Sequence, residues 1–107
     1  MSAYEIKISP AVQAQLDLLR AFDHVRILEA IEEKLTHEPL VRTRNRKPLE
    51  PTPPALAAFA KKLMVDVTAV WELRVIPWRV AYAVEGRTVH VLHIFRKGQG
   101  TTDDALS

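Results

Sequence analysis

The stretch Trp71-Glu72-Leu73-Arg74-Val75-Ile76-Pro77-Trp78-Arg79-Val80-Ala81-Tyr82 decides the fold. Apolar and polar residues alternate on both sides of a proline, so it reads as two strands joined by a tight turn. Trp71, Leu73 and Val75 fall on one face of the first strand, and Trp78, Val80 and Tyr82 on one face of the second. Glu72, Arg74, Arg79 and Ala81 take the opposite face, because successive side chains alternate. With Ile76 and Pro77 as the turn, Arg74 lies directly across from Arg79. Like charges facing each other across a ladder are destabilising. A hairpin built for stability alone would avoid that pair; a surface built to hold an anion would want it.

Upstream of this hairpin, Tyr4 to Ile8 alternates as a strand does. Ser9-Pro10 is a helix start, with Ser9 as N-cap and Pro10 in the first helical position. Val12, Leu16, Leu19 and Phe22 follow at helical spacing and predict a buried stripe. Asp23 predicts a second N-cap, and the next helix carries Leu28, Ile31 and Leu35 on one face. That helix stops near Glu38, because Pro39 disfavours helix in the residue before it. Residues 39–55 hold five of the seven prolines and the basic run Arg42 to Lys47, and read as a long loop of the kind that often carries function. Ala55 to Leu63 can form a short helix. Downstream, Glu85-Gly86 is a turn signal and Val89 to Phe95 the last strand. The expected architecture is α+β, in the order β-α-α-β-β-β. Its N-terminal strand and helical hairpin pack on one face of a mostly antiparallel sheet, and Glu72, Arg74 and Arg79 sit on the other.

The chain has 107 residues, which supports one domain over residues 1–107, with residues 98–107 a mobile tail. It contains no cysteine, which excludes disulfides and thiolate metal sites. The four histidines are scattered without ligand spacing, so no metal and no cofactor is expected. No segment is apolar enough to cross a bilayer and no secretory run opens the chain, which points to a cytoplasmic protein away from the membrane. The net charge of +2 is unevenly spread: residues 1–41 balance at −3, residues 42–79 at +5, and residues 80–107 at zero. Any positive surface therefore comes from the middle of the chain, where it would attract phosphate backbones.

Four segments, in this order, resemble the RelE/ParE superfamily of bacterial type II toxins: Arg46-Lys47-Pro48-Leu49, Trp71 to Val75, Trp78 to Tyr82, and Val91-Leu92-His93-Ile94-Phe95-Arg96-Lys97. The resemblance implies a small cytoplasmic toxin neutralised by a cognate protein antitoxin. RelE-like members cut mRNA on the ribosome without a metal, by attack of the ribose 2′-hydroxyl on the adjacent phosphate. That reaction needs a base, an acid and cations for the charge on the phosphorane. ParE-like members share the fold but poison DNA gyrase, so fold does not choose between the activities. A toxin-like domain that only binds an antitoxin or nucleic acid is the third alternative.

Residue by residue, the resemblance makes Arg79 the ligand of the scissile phosphate, a role suited to a permanently charged, bidentate guanidinium. Arg74 matches a commonly basic position beside it. Glu72, where some nucleases carry lysine, is expected to neutralise the two arginines. Lys47 and Arg46 would position phosphates at the loop; some relatives place a catalytic glutamate where Lys47 stands. His93 is a potential proton carrier near neutral pH. Its face depends on the last turn: Glu85-Gly86-Arg87 sets it opposite Arg79, whereas Glu85-Gly86 alone sends it to the helix side with Val89 and Val91. Arg96 and Lys97 end the last strand where relatives hold a basic acid or phosphate ligand, Lys97 being the closer match. The tail from Gly98 to Ser107 lacks the tyrosine or histidine that several nucleases place there.

Overall fold

Five strands form one sheet in the order β1-β5-β4-β3-β2. They are β1 (Glu5–Ile8), β2 (Arg46–Pro48), β3 (Val70–Val75), β4 (Trp78–Glu85) and β5 (Thr88–Arg96), and the helices α1 (Pro10–Asp17) and α2 (Ala21–Leu35) lie between β1 and β2 in the chain. The computed structural model describes residues 3–49, 54, 57, 58, 61 and 70–96. All neighbouring strands are antiparallel except β1, which runs parallel to β5. The fold is therefore the expected α+β arrangement with one strand more than expected.

That extra strand is β2, inside the segment read as loop. Lys47 pairs with Glu72 and Pro48 with Trp71, and the turn before them is closed by the Thr43 N–H on the Arg46 carbonyl at 2.9 Å. A three-residue strand shows too little alternation to be read from sequence. Of the helix expected from Ala55 to Leu63, Ala57, Ala58 and Lys61 are described and helical, as is Pro54; its other residues, Lys97 and the tail at 98–107 lie outside the described residues.

The helix starts follow local chemistry. The Ser9 hydroxyl accepts from the Val12 N–H at 3.3 Å, and Pro10 opens α1 as expected. The second helix begins at Ala21, capped by backbone geometry at Arg20 with no side-chain bond, so Asp23 sits in its first turn rather than at its cap. A carboxylate there still complements the helix dipole. Val12, Leu16, Ile27, Ile31 and Leu35 bury themselves against Leu73, Val75, Val80, Tyr82, Val89, Val91 and Ile94. Phe22 departs from expectation: α1 ends before it, and its ring is exposed beneath the Arg26 guanidinium, 5.5 Å from the ring centre.

Tyr82 ties this core to the long connection. Its side chain is fully buried, and its hydroxyl donates to the Pro39 carbonyl at 2.5 Å. Burial pushes its ionisation above the usual phenol range, so it stays a donor at any physiological pH. Tyr82→Phe leaves that carbonyl without its donor and is expected to cost about 1–3 kcal/mol, read as a lowered urea midpoint with unchanged slope.

Candidate anion-binding site

The β3–β4 turn is Ile76-Pro77, and Arg74 is paired with Arg79 as the alternation predicts. At the other end of β4 the turn is Gly86-Arg87, closed by Glu85 opposite Thr88, which neither sequence-based choice of turn anticipated. Gly86 has φ +60°, a left-handed conformation that glycine adopts without strain. This turn alone would send His93 to the helix side. A bulge reverses that: Tyr82 pairs with Val91 but Ala81 with His93, so Leu92 is the extra residue. From the bulge onward β5 changes parity, and His93 and Phe95 join Arg79 on the face away from the helices.

Two rows of side chains run across that face. Lys47, Glu72, Ala81 and His93 occupy successive strands in the first row, and Arg74, Arg79 and Phe95 in the second. The Glu72 carboxylate lies between two cations, 3.4 Å from Arg79 Nε and 3.8 Å from Lys47 Nζ. Its expected neutralising role is met for Arg79 but not for Arg74: the second cation on the carboxylate is Lys47. The face is not open throughout, however: Glu72, Arg79, Ala81, Ala83 and Phe95 are buried, and Arg79 is only 7% exposed. The expectation of an uncovered pair of arginines therefore fails at Arg79; Arg74 is half-buried and borders a hollow of about 270 Å³ with Asn45 and with Arg26 and Lys34 of α2.

Arg79 is only partly satisfied. Its Nε faces Glu72, but its Nη1 is buried without a hydrogen-bond partner among the described residues. Burial lowers its affinity for a proton, Glu72 opposes that shift, and Arg74 adds to it. A buried donor left unpaired is costly, and an incoming anion would relieve that cost. Three cations and one carboxylate leave the cluster net positive.

Arg46 and Arg96 stand elsewhere. Arg46 is buried at the end of α2, where its Nη1 donates to the carbonyls of Lys34 at 2.9 Å and Glu38 at 2.5 Å, and its Nη2 lies 3.7 Å from the Glu38 carboxylate. It stabilises a helix terminus, and its Nε donates to the Thr43 hydroxyl at 3.5 Å. Arg96 pairs opposite Trp78 on the helix side and borders a hollow with Leu18, Leu19, Arg20 and Asp23. Alternation explains both: each is one residue out of phase with the Arg79 face. Sequence reasoning also missed Gln15 on α1, whose amide reaches His93 at 3.1 Å. A polar residue on an amphipathic helix carries no signal of such a contact. Among the described residues, no three carboxylate or imidazole groups gather as metal ligands would, and no helix is long and apolar enough to cross a membrane.

The fold is similar to that of a chain in the crystal structure of the toxin-antitoxin complex RelBE2 from Mycobacterium tuberculosis. The TM-score is 0.64 at 18% sequence identity, over 89% of this chain and 99% of that one. No family model and no curated protein sequence matches the chain. The likeness establishes a RelE-like fold, in which α1 and α2 of the described residues lie against a five-stranded, mostly antiparallel sheet.

Proposed function

We propose that this chain is the toxin of a type II toxin–antitoxin pair, acting in the cytoplasm as a metal-independent, ribosome-dependent mRNA endoribonuclease. The observation that carries the reading is the buried Nη1 of Arg79, unpartnered among the described residues and set directly across from Arg74. In the reaction the ribose 2′-oxygen forms a bond to phosphorus as the bond to the 5′-oxygen breaks. The 2′-hydroxyl gives up a proton and the 5′-oxygen gains one. Charge accumulates on the non-bridging oxygens in between, where preorganised donors act most strongly. Arg79 and Arg74 take those oxygens, and Lys47 holds a neighbouring phosphate. Lys97 joins this reading through the sequence resemblance alone. Arg46 and Arg96 drop out of it: the Arg46 guanidinium is engaged at the end of α2, and Arg96 stands on the helix side of β5. The partner is a cognate antitoxin, in keeping with a fold shared with a chain of a toxin–antitoxin complex.

Arg74→Ala separates function from folding. Arg74 makes no ion pair among the described residues and faces a like charge, so its removal is expected to leave stability unchanged or raise it by about 0.2–1 kcal/mol. Cleavage of a defined mRNA in a translating extract, read by primer extension, is expected to fall roughly 10²-fold. Full cleavage by this variant would remove Arg74 from the mechanism. Intact mRNA with the unaltered chain, together with gyrase-dependent DNA breaks, would replace the nuclease reading with that of a DNA gyrase poison. Harmless expression with neither effect would leave a domain that only binds.

A further inference from the structure

β1 and β5 part company before β5 ends. Their last pair is Ile8 with Val91, while β5 continues to Arg96. An uncovered strand edge exposes N–H and C=O groups that need partners. The described structure supplies them from α1. Gln15 Oε1 accepts from the Ile94 N–H at 3.1 Å, and Gln15 Nε2 donates to the Ile94 carbonyl at 3.2 Å. One side-chain amide thus pairs with both backbone groups of one residue much as another strand would.

This pairing has a chemical consequence next door. A backbone N–H can only donate and a carbonyl can only accept, so the Gln15 amide cannot be turned over without losing both bonds. Its Nε2 therefore faces the second neighbour too, the Nδ1 of His93 at 3.1 Å. One N–H of that nitrogen serves the Ile94 carbonyl and the other serves the ring. Nδ1 must then offer a lone pair, and the ring proton resides on Nε2. A second proton, on Nδ1, would set N–H against N–H.

The ring plane is fixed as well. His93 stacks on Phe95, with centroids 5.9 Å apart and planes 18° apart, and Phe95 is paired with Arg79. Among the described residues, Gln15 from α1, Ala81 directly opposite on β4, and Arg79 beside Ala81 on the same face also neighbour His93. Glu72 is one strand further along the row, and Asp17 on α1 is engaged with Gln13 at 3.1 Å. On β1, Lys7 pairs with His90 rather than His93.

We propose that Gln15 is a positioning residue that holds His93 as a neutral imidazole protonated at Nε2, which keeps His93 from acting as a proton carrier. The tautomer rests on geometry alone; its catalytic meaning rests on the nuclease reading. Burial pulls His93 below the ordinary imidazole range, in the same direction as the Gln15 contact.

Long-range ¹H–¹⁵N correlation spectra of the full-length ¹⁵N-labelled protein at neutral pH test this directly. His93 is expected to show a bare Nδ1 and a protonated Nε2, with a midpoint below 6.5 on acidification. Gln15→Glu places a carboxylate opposite Nδ1 and is expected to move the proton there, raising the midpoint by about one unit or more. In the mRNA cleavage assay, the wild-type pH profile is expected to show no limb at the His93 midpoint. A wild-type spectrum with Nδ1 protonated, or with imidazolium at neutral pH, overturns the proposal even if the variant fails to fold. An unmoved midpoint in a folded Gln15→Glu variant overturns it too. If the spectra agree but no mRNA is cut, the assigned tautomer stands and the nuclease reading falls.

Discussion

Arg79→Ala is expected to destabilise the fold by about 3–5 kcal/mol, because it strands the Glu72 carboxylate inside the protein. Glu72 and Arg79 are each 7% exposed, and their charges lie 3.4 Å apart. With Arg79 gone, the described cation left near Glu72 is Lys47 at 3.8 Å, on an exposed side chain that water screens. A loss of that size is a large part of the roughly 5–15 kcal/mol that holds a small domain together. Urea denaturation measures it, and Glu72→Gln in the same chain is expected to restore part of the loss by removing the uncompensated charge. Equal midpoints for wild type and Arg79→Ala would mean that the pair contributes nothing. The variant also bears on function. Relief of growth arrest by Arg79→Ala is ambiguous, since an unfolded toxin is also harmless. Arg79→Lys resolves the ambiguity: it keeps a cation near Glu72 but loses the planar fork that grips two phosphate oxygens. A folded but inactive Arg79→Lys chain places the arginine in the chemistry.

Arg46→Ala is the second large effect, and its readout is stability rather than activity. The guanidinium donates to the Lys34 carbonyl in the last turn of α2, where helix carbonyls lack intrahelical partners, and to the Glu38 carbonyl three residues beyond the helix, which also accepts from the Val41 N–H at 3.3 Å. Hydrogen bonds to a charged group contribute about 1.5–3 kcal/mol, and Arg46→Ala is expected to cost about that much. Amide exchange is expected to quicken around α2's C-terminus and β2 before the rest of the sheet. Arg46→Lys should recover little, because one ammonium cannot serve two carbonyls and the Glu38 carboxylate in the same geometry. Once the lost stability is corrected for, cleavage per folded molecule should equal wild type. A specific loss of cleavage at full stability would return Arg46 to the phosphate-binding role that its place beside Lys47 first suggested.

The clearest sequence signals were the periodic ones. Alternation around Ile76-Pro77 placed Arg74 opposite Arg79, and the structure has that pair. Helical spacing marked Val12, Leu16, Ile31 and Leu35 as core, and all are buried. Signals failed where periodicity was short or absent. Arg46 and Lys47 lie next to each other in a basic run, yet pairing with β3 turns them to opposite faces. Phe22 fitted a helical stripe only if one helix continued through the break after Asp17.

Composition and local pattern by themselves determined the class of fold, the helical hairpin with its buried stripe, and the two arginines that face each other. These depend on side-chain period and turn chemistry, which act over a few residues and can be read along the chain. Tertiary structure alone decided which of the other basic and polar groups join them. One bulged residue, Leu92, moved His93 onto the Arg79 face, and the early end of β1 brought Gln15 onto Ile94 and His93. Strand register and edge coverage arise from contacts between segments far apart in sequence. A shift of one residue reverses every side chain beyond it, and no local pattern encodes that shift.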